Sequence, residues 1–155
     1  MRKAIFPGSF NPFTIGHLDI VERGLTLFDE VVIAVGKNYD KQFSSSKDER
    51  VSMLIDLYRR EPRVSVEWMD GLTIDFAHRH DAQFILRSVR SLKDYEYERN
   101  MAEANRLLSA REYGKPVETV LLFARPDLAY ISSSLVRELQ GYGKNVNDLL
   151  PHCHN

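Results

Sequence analysis

The chain has 155 residues, 43 % of them hydrophobic and 28 % charged, and 21 basic against 22 acidic side chains leave a formal net charge of −1. This length suits a single domain, residues 1–155, with a core of its own, and the even charge balance excludes a general nucleic-acid binder, which would be basic overall. The lone cysteine, Cys153, cannot close an internal disulfide, so a cytoplasmic setting is expected, with neither a signal peptide nor a membrane span.

Strand-like and helix-like stretches alternate along the chain. "KAIF" (3–6) is a short apolar run that predicts a first strand. It leads into "FPGSFNPFTIGH", where two glycines, two prolines, Ser9, Asn11, Thr14 and His17 crowd into twelve positions. Thr14 is a suitable N-cap for a helix whose first turn is Ile15, Gly16 and His17. Leu18, Val21, Leu25 and Phe28 then follow at spacings of three and four, as one apolar stripe. "EVVIAVG" (30–36) is β-branched and almost wholly apolar, as expected of a strand covered on both faces. Ser46 and Glu49 form a capping box ahead of a second stripe, Val51, Leu54, Ile55 and Tyr58.

"RVSVEW" (63–68) alternates in polarity and predicts a strand, "IDFAHRH" (74–80) a short helix, and "AQFILR" (82–87) a fourth strand. Tyr97, Met101, Ala104 and Leu108 mark a longer helix. "ETVLLF" (118–123) predicts a fifth strand, and "SSSLVREL" (132–139) opens a last helix with hydroxyls. In the tail "PHCHN", Cys153 lies between His152 and His154, where a frayed terminus is expected rather than a metal site. The alternation predicts an α/β fold: a Rossmann-like, doubly wound, five-stranded parallel sheet with helices on both faces. Ligands of such sheets bind beyond the carboxyl ends of the strands, near the switch in strand order.

The turn after the first strand has the chemistry of an anion site. Gly8 permits close backbone approach, and Pro7 and Pro12 stiffen the path on either side. The N-terminus of the next helix offers free N–H groups and partial positive charge, and His17 stands there able to donate to a phosphate oxygen. Neither a Walker-type loop nor a Gly-x-Gly-x-x-Gly pattern occurs. Ser132, Ser133 and Ser134 repeat the arrangement late in the chain, with hydroxyls and N–H groups at a helix start. Arg137, one turn on, either adds charge to that cradle or is solvated. Arg87 and Arg90 leave the fourth strand, where guanidinium forks suit phosphates.

These segments carry a resemblance. Thr14-Ile15-Gly16-His17 resembles the (T/H)-x-G-H signature of the nucleotidyltransferase superfamily, and "ISSSLVRE" (131–138) resembles its second signature. "ILRSVRSLKDYEYE" (85–98) is similar to the corresponding stretch of phosphopantetheine adenylyltransferases through Arg87, Val89, Arg90, Asp94, Tyr95, Glu96, Tyr97 and Glu98. "DERV" (48–51) and "LTIDFA" (72–77) extend the likeness over essentially the whole chain.

The resemblance implies reversible adenylyl transfer from ATP to 4′-phosphopantetheine, giving dephospho-coenzyme A and pyrophosphate, with Mg²⁺ carried mainly on the ATP phosphates. It also implies a homohexamer, with no nucleic-acid or membrane partner. Residue by residue, it implies that Ser9 contacts both substrates, that Phe10 lines the ATP site, and that His17 meets the transferring phosphate. Lys41 would meet the acceptor phosphate and the reacting centre, and Thr73 and Arg87 the pantetheine side. Ser88, Val89, Arg90 and Glu98 would lie on the ATP side. Leu128, Ala129, Tyr130, Ile131, Ser132, Ser133 and Ser134 would hold adenine and the distal phosphates. His17, Lys41 and Arg90 are the implied catalytic set.

The pattern departs from the family at Asn11, where Asp is usual, at Ser88, where Gly is usual, and in a tail that runs only a little past "LLPHC", where the final helix of longer members is expected to be absent. "GSFNP" also occurs in nicotinate and nicotinamide mononucleotide adenylyltransferases, which remain the alternative activity. A catalytically silent nucleotide-binding protein is the alternative of another class.

Overall fold

A computed structural model describes residues 1–37 and 46–152. Ten elements alternate as expected: β1 (Lys3–Gly8), α1 (Ile15–Gly24), β2 (Glu30–Val35), α2 (Lys47–Leu57), β3 (Val64–Trp68), α3 (Thr73–Arg79), β4 (Phe84–Val89), α4 (Leu92–Tyr113), β5 (Glu118–Phe123) and α5 (Ser133–Gly141), with a 3-10 turn at Asn147–Leu149. The five strands form one parallel sheet in the order β3-β2-β1-β4-β5. This is the doubly wound α/β sheet that the alternation predicts. No helix among the described residues is long and apolar enough to cross a membrane.

Alternate residues of the central strands feed two cores. Ala4 and Phe6 of β1 and Val31, Ile33 and Val35 of β2 pack with Ile20, Val21 and Leu54 on the α1–α2 side. Ile5, Val32 and Ala34 pack with Phe76 and Ala77 of α3 on the other. Burying side chains of this size stabilises by about 1.5–3 kcal/mol each. Gly24 admits α1 close to the sheet: a Cβ there would lie 2.7 Å from Leu86 Cδ2.

The switch in strand order falls between β1 and β4, and there the ladder is short. Only Ala4↔Phe84 and Ile5↔Ile85 pair, whereas β1 and β2 stay in register out to Gly8↔Val35. Pro7 explains the break, because it has no N–H to donate. Its carbonyl is taken by the Arg87 side chain instead, at 2.6 Å. The strands part beyond this point and leave a crevice at the carboxyl end of the sheet.

Three sequence expectations shift. The fourth strand runs two residues later than the apolar run 82–87, because Ala82 still closes the end of α3 through its N–H to the Ala77 carbonyl. Ile55 is 53 % exposed, so the α2 stripe narrows to Val51, Leu54 and Tyr58. In α4 the stripe of Tyr97, Met101 and Ala104 is exposed, and Leu108 is half-buried. The helix is anchored by buried polar groups: Glu98 bonds Arg87 of β4, and the Ser109 hydroxyl accepts from the Val117 N–H at 2.8 Å.

Candidate active site

The opening turn is wound tightly. Phe10 adopts a positive φ of 49°, which folds its ring back over Gly8. A Cβ on Gly8 would lie 2.8 Å from that ring, so only glycine fits. The turn's carbonyls face outward to partners from other elements. Pro7 accepts from Arg87, Gly8 from the Gly36 N–H, Ser9 from Arg50, Asn11 from Arg137, and Pro12 from the Ser133 hydroxyl.

Thr14 caps α1, as its sequence position predicts, and His17 completes a capping box from the N3 position. The Thr14 N–H donates to His17 Nδ1 at 3.0 Å, so Nδ1 is the acceptor and the neutral ring carries its proton on Nε2. Three phenylalanines surround the imidazole. The Phe10 ring meets it edge-on at 5.1 Å, Phe13 lies 5.2 Å away, and Phe6 lies 6.2 Å away. This apolar casing, then the charges of Arg90 and Arg87, push the imidazole down to about 3. At neutral pH His17 is therefore an uncharged Nε2–H donor.

Opposite stands the start of α5. Each serine has a defined partner. The Ser132 hydroxyl accepts from the Leu135 N–H as N-cap, Ser133 donates to the Pro12 carbonyl at 2.7 Å, and Ser134 accepts from Arg137. The hydroxyls lock the helix start in place, and the N–H groups of Ser133 and Ser134 remain for an anion. Arg137 is bonded to the opening turn rather than solvated. Arg90 reaches the same space, with Nη1 on the Ile131 carbonyl at 3.2 Å and Nε on Asp94 at 3.3 Å.

Two clefts adjoin at the strand switch. One, of about 350 Å³, is lined by both helix starts, His17, Arg90 and Arg137. The other, of about 590 Å³, is more apolar, with Met69, Leu72, Met101 and Ala102 in its wall. They share Pro7, Gly8, Ser9, Arg87, Tyr97 and Glu98. Arg87 and Glu98 form the partition as a forked pair, Nε at 3.0 Å from both carboxylate oxygens and Nη2 at 2.6 Å from Oε1. Arg87 thus offers no open fork, since Glu98 and the Pro7 carbonyl take one N–H from each of its three nitrogens.

Of the residues singled out in the sequence, Ser9, Phe10, His17, Ser88, Arg90, Glu98, Leu128, Ile131 and the three serines line the first cleft. Ser9, Thr73 and Arg87 line the second. Val89, Ala129 and Tyr130 line neither, Val89 being buried in the sheet and Tyr130 64 % exposed. Lys41, Cys153 and His154 lie outside the described residues. The sequence gives no role to Arg50, which it shows only inside "DERV", or to the apolar wall of the second cleft, of which Leu72 falls in "LTIDFA" and Met101 in the α4 stripe. No local pattern marks them as site residues, because they reach the site only through tertiary packing.

The family model described as cytidylyltransferase-like matches residues 5–139. The chain is 50 % identical to the phosphopantetheine adenylyltransferase of Bacteroides fragilis over 97 % of each chain. It is 47 % identical to that of Bacteroides thetaiotaomicron, over 97 % of this chain and 96 % of that one. It is 46 % identical to that of Flavobacterium johnsoniae, over 97 % and 95 %. With both signatures meeting at one strand switch and likeness of this extent, the chain belongs to the phosphopantetheine adenylyltransferase family of cytidylyltransferase-like nucleotidyltransferases.

Proposed function

We propose that the protein transfers the adenylyl group of ATP to 4′-phosphopantetheine, reversibly, giving dephospho-coenzyme A and pyrophosphate. The observation that carries this reading is the pair of adjoining clefts with Ser9 in their common wall. The polar cleft, with two helix starts and three cationic or donor side chains, suits a nucleotide triphosphate. The apolar one suits a pantetheine arm.

The acceptor phosphate is largely a dianion at neutral pH and needs no strong base. One of its oxygens bonds to the α-phosphorus, and the bond from that phosphorus to the bridging oxygen of the β-phosphate breaks. The electron pair leaves with pyrophosphate. The chain's contribution is alignment and charge stabilisation. His17 donates from Nε2 to a non-bridging oxygen, Arg90 adds its guanidinium, and Lys41 completes the set from the acceptor side. Ser88, Glu98 and the start of α5 frame the nucleotide, while Thr73 and Arg87 frame the pantetheine side. Mg²⁺ carried in by the nucleotide would supply charge neutralisation to the phosphates beside Arg90 and the α5 start. Among the described residues no three His, Cys, Asp or Glu side chains cluster to hold a metal.

We place the reaction in the cytoplasm, in keeping with a single cysteine. We also propose a homohexamer. Tyr97, Met101 and Leu107 are 61 %, 40 % and 56 % exposed on α4, and offer apolar surface to a neighbouring copy. Sedimentation velocity checks this, and a monomer at micromolar concentration overturns it.

Pyrophosphate release tests the activity. With MgATP, turnover is expected with 4′-phosphopantetheine and not with nicotinate or nicotinamide mononucleotide. The reverse preference moves the protein to the pyridine-nucleotide enzymes. Calorimetric ATP binding without turnover on any acceptor makes it a silent binder.

A further inference from the structure

Arg50 is a buried charge to which the mechanism assigns no task. It is 5 % exposed and lines neither cleft. Among the described residues it meets no carboxylate. Its Nη1 donates instead to two main-chain carbonyls, Ser9 at 2.6 Å and Gly36 at 3.0 Å. Its guanidinium lies 5.4 Å from the Trp68 ring centroid, and its Nε is buried without a partner among the described residues. Burial pulls its affinity for the proton down. Holding a guanidinium in such a place on main-chain carbonyls is costly, and a hydrophobic residue would usually serve packing better.

The position of Ser9 explains the cost. Its carbonyl is held by Arg50, while its own N–H and hydroxyl make no hydrogen bond among the described residues. Carbonyls carry partial negative charge, so a Ser9 carbonyl swung into the clefts would repel phosphate, and the Phe10 N–H in the same peptide plane would turn with it. Arg87 fixes Pro7 from the β4 side, the Gly36 N–H fixes Gly8, and Arg50 fixes Ser9 from α2. The turn is gripped from both flanks at three consecutive carbonyls. Arg50 also joins the ends of β1 and β2 just past their last paired residues, Gly8 and Val35.

We propose that Arg50 is a positioning residue for the adenylyl-transfer step: through its bonds to the Ser9 and Gly36 carbonyls it fixes the Ser9–Phe10 peptide plane, and with it the place of the Ser9 hydroxyl at the wall between the two clefts. This rests on the activity proposed above.

The test compares wild type with Arg50→Met, which keeps stem packing but removes every donor, and Arg50→Lys, which keeps the charge but loses the planar fork. In pyrophosphate-release assays, kcat of Arg50→Met falls ~10²-fold, the scale set by small misplacements of a reacting group. KM for each substrate stays within about threefold, and Arg50→Lys recovers only part of kcat. In the ligand-free protein, amide exchange at Gly36, whose N–H bonds the Gly8 carbonyl at 2.8 Å, quickens in both variants while the central strands keep their protection. The proposal is overturned if Arg50→Met retains kcat within about twofold, if Arg50→Lys restores it fully, or if exchange quickens uniformly with a general fall in Tm. Should Arg50→Met not fold, Arg50→Lys carries the same comparison. The exchange measurement needs no substrate. A wild-type protein inactive on phosphopantetheine would therefore defeat the proposed activity and leave the hold on Ser9 separately testable.

Discussion

Thr14 and His17 bond each other reciprocally: the Thr14 N–H donates to His17 Nδ1 at 3.0 Å, the His17 N–H donates to the Thr14 hydroxyl at 3.4 Å, and that hydroxyl also lies 3.2 Å from Nδ1. The reciprocal pair ends the turn, starts the helix and fixes the imidazole tautomer in one device. The residue that caps α1 is thereby the residue that faces the cleft.

This fixes an observable in the free protein. With its proton affinity pushed down to about 3, His17 stays neutral and Nε2-protonated from pH 8 to pH 5. Long-range ¹H–¹⁵N correlation spectra are expected to show no titration of this ring over that range. A midpoint near 6.5 would show that the casing of Phe6, Phe10 and Phe13 does not exclude water.

Stability follows the same linkage. In the unfolded chain His17 binds a proton near pH 6.5, whereas the folded protein resists binding until about pH 3. Its contribution is therefore present above pH 6.5 and is lost as pH falls from 6.5 towards 3. Between pH 7.5 and 5.0 the wild-type Tm is expected to fall further than that of His17→Asn. Parallel curves would remove His17 from the linkage.

His17→Ala is expected to lower kcat by ~10²–10³-fold, the range for loss of one preorganised donor to a developing anion. Pyrophosphate release measures it directly. A kcat near the wild-type value would deny His17 a place at the transferring phosphate.

Glu98 is 6 % exposed and holds Arg87 by both carboxylate oxygens. Glu98→Ala leaves a partly buried guanidinium unpaired, and urea titration is expected to show a loss on the order of 3 kcal/mol. Since the pair divides the clefts, KM should rise for both substrates. A rise for one alone would place the pair in a single cleft.

Gly8→Ala forces a methyl to within 2.8 Å of the Phe10 ring. Overpacking of this kind typically costs about 1–3 kcal/mol. Displacing Phe10 also strips one wall from His17, so kcat is expected to fall in assays at temperatures where the variant is fully folded. Unchanged kcat in a folded variant would show that the ring can move freely.

Features written in neighbouring residues were legible beforehand. The Thr14 cap, the Ser46–Glu49 capping box and the apolar runs of the strands are local patterns, and each element lies on its pattern or within two residues of it. The two signatures also pointed to one rim because both open helices after strands. Other features depend on partners far along the chain. Arg50 reads as one charge in a helical stretch, and only folding brings it 41 positions back to Ser9. For Arg137 the sequence leaves open whether it adds charge to the serine cradle or is solvated, and only the docking of α5 puts it on the Asn11 carbonyl. The stripe on α4 has helical spacing, but spacing cannot say whether a face meets its own sheet or looks outward.

The backbone after β1 owes its shape to donors delivered from β2, β4, α2 and α5. A graft of the "GSFNPFTIGH" segment into a foreign scaffold would transfer the histidine and its cap but none of those remote hands. Its oxygens would be left to solvent, and the loop would relax away from the shape that serves phosphate. The portable unit is the whole rim of the sheet, and engineering that borrows the motif alone should yield helices without catalysis.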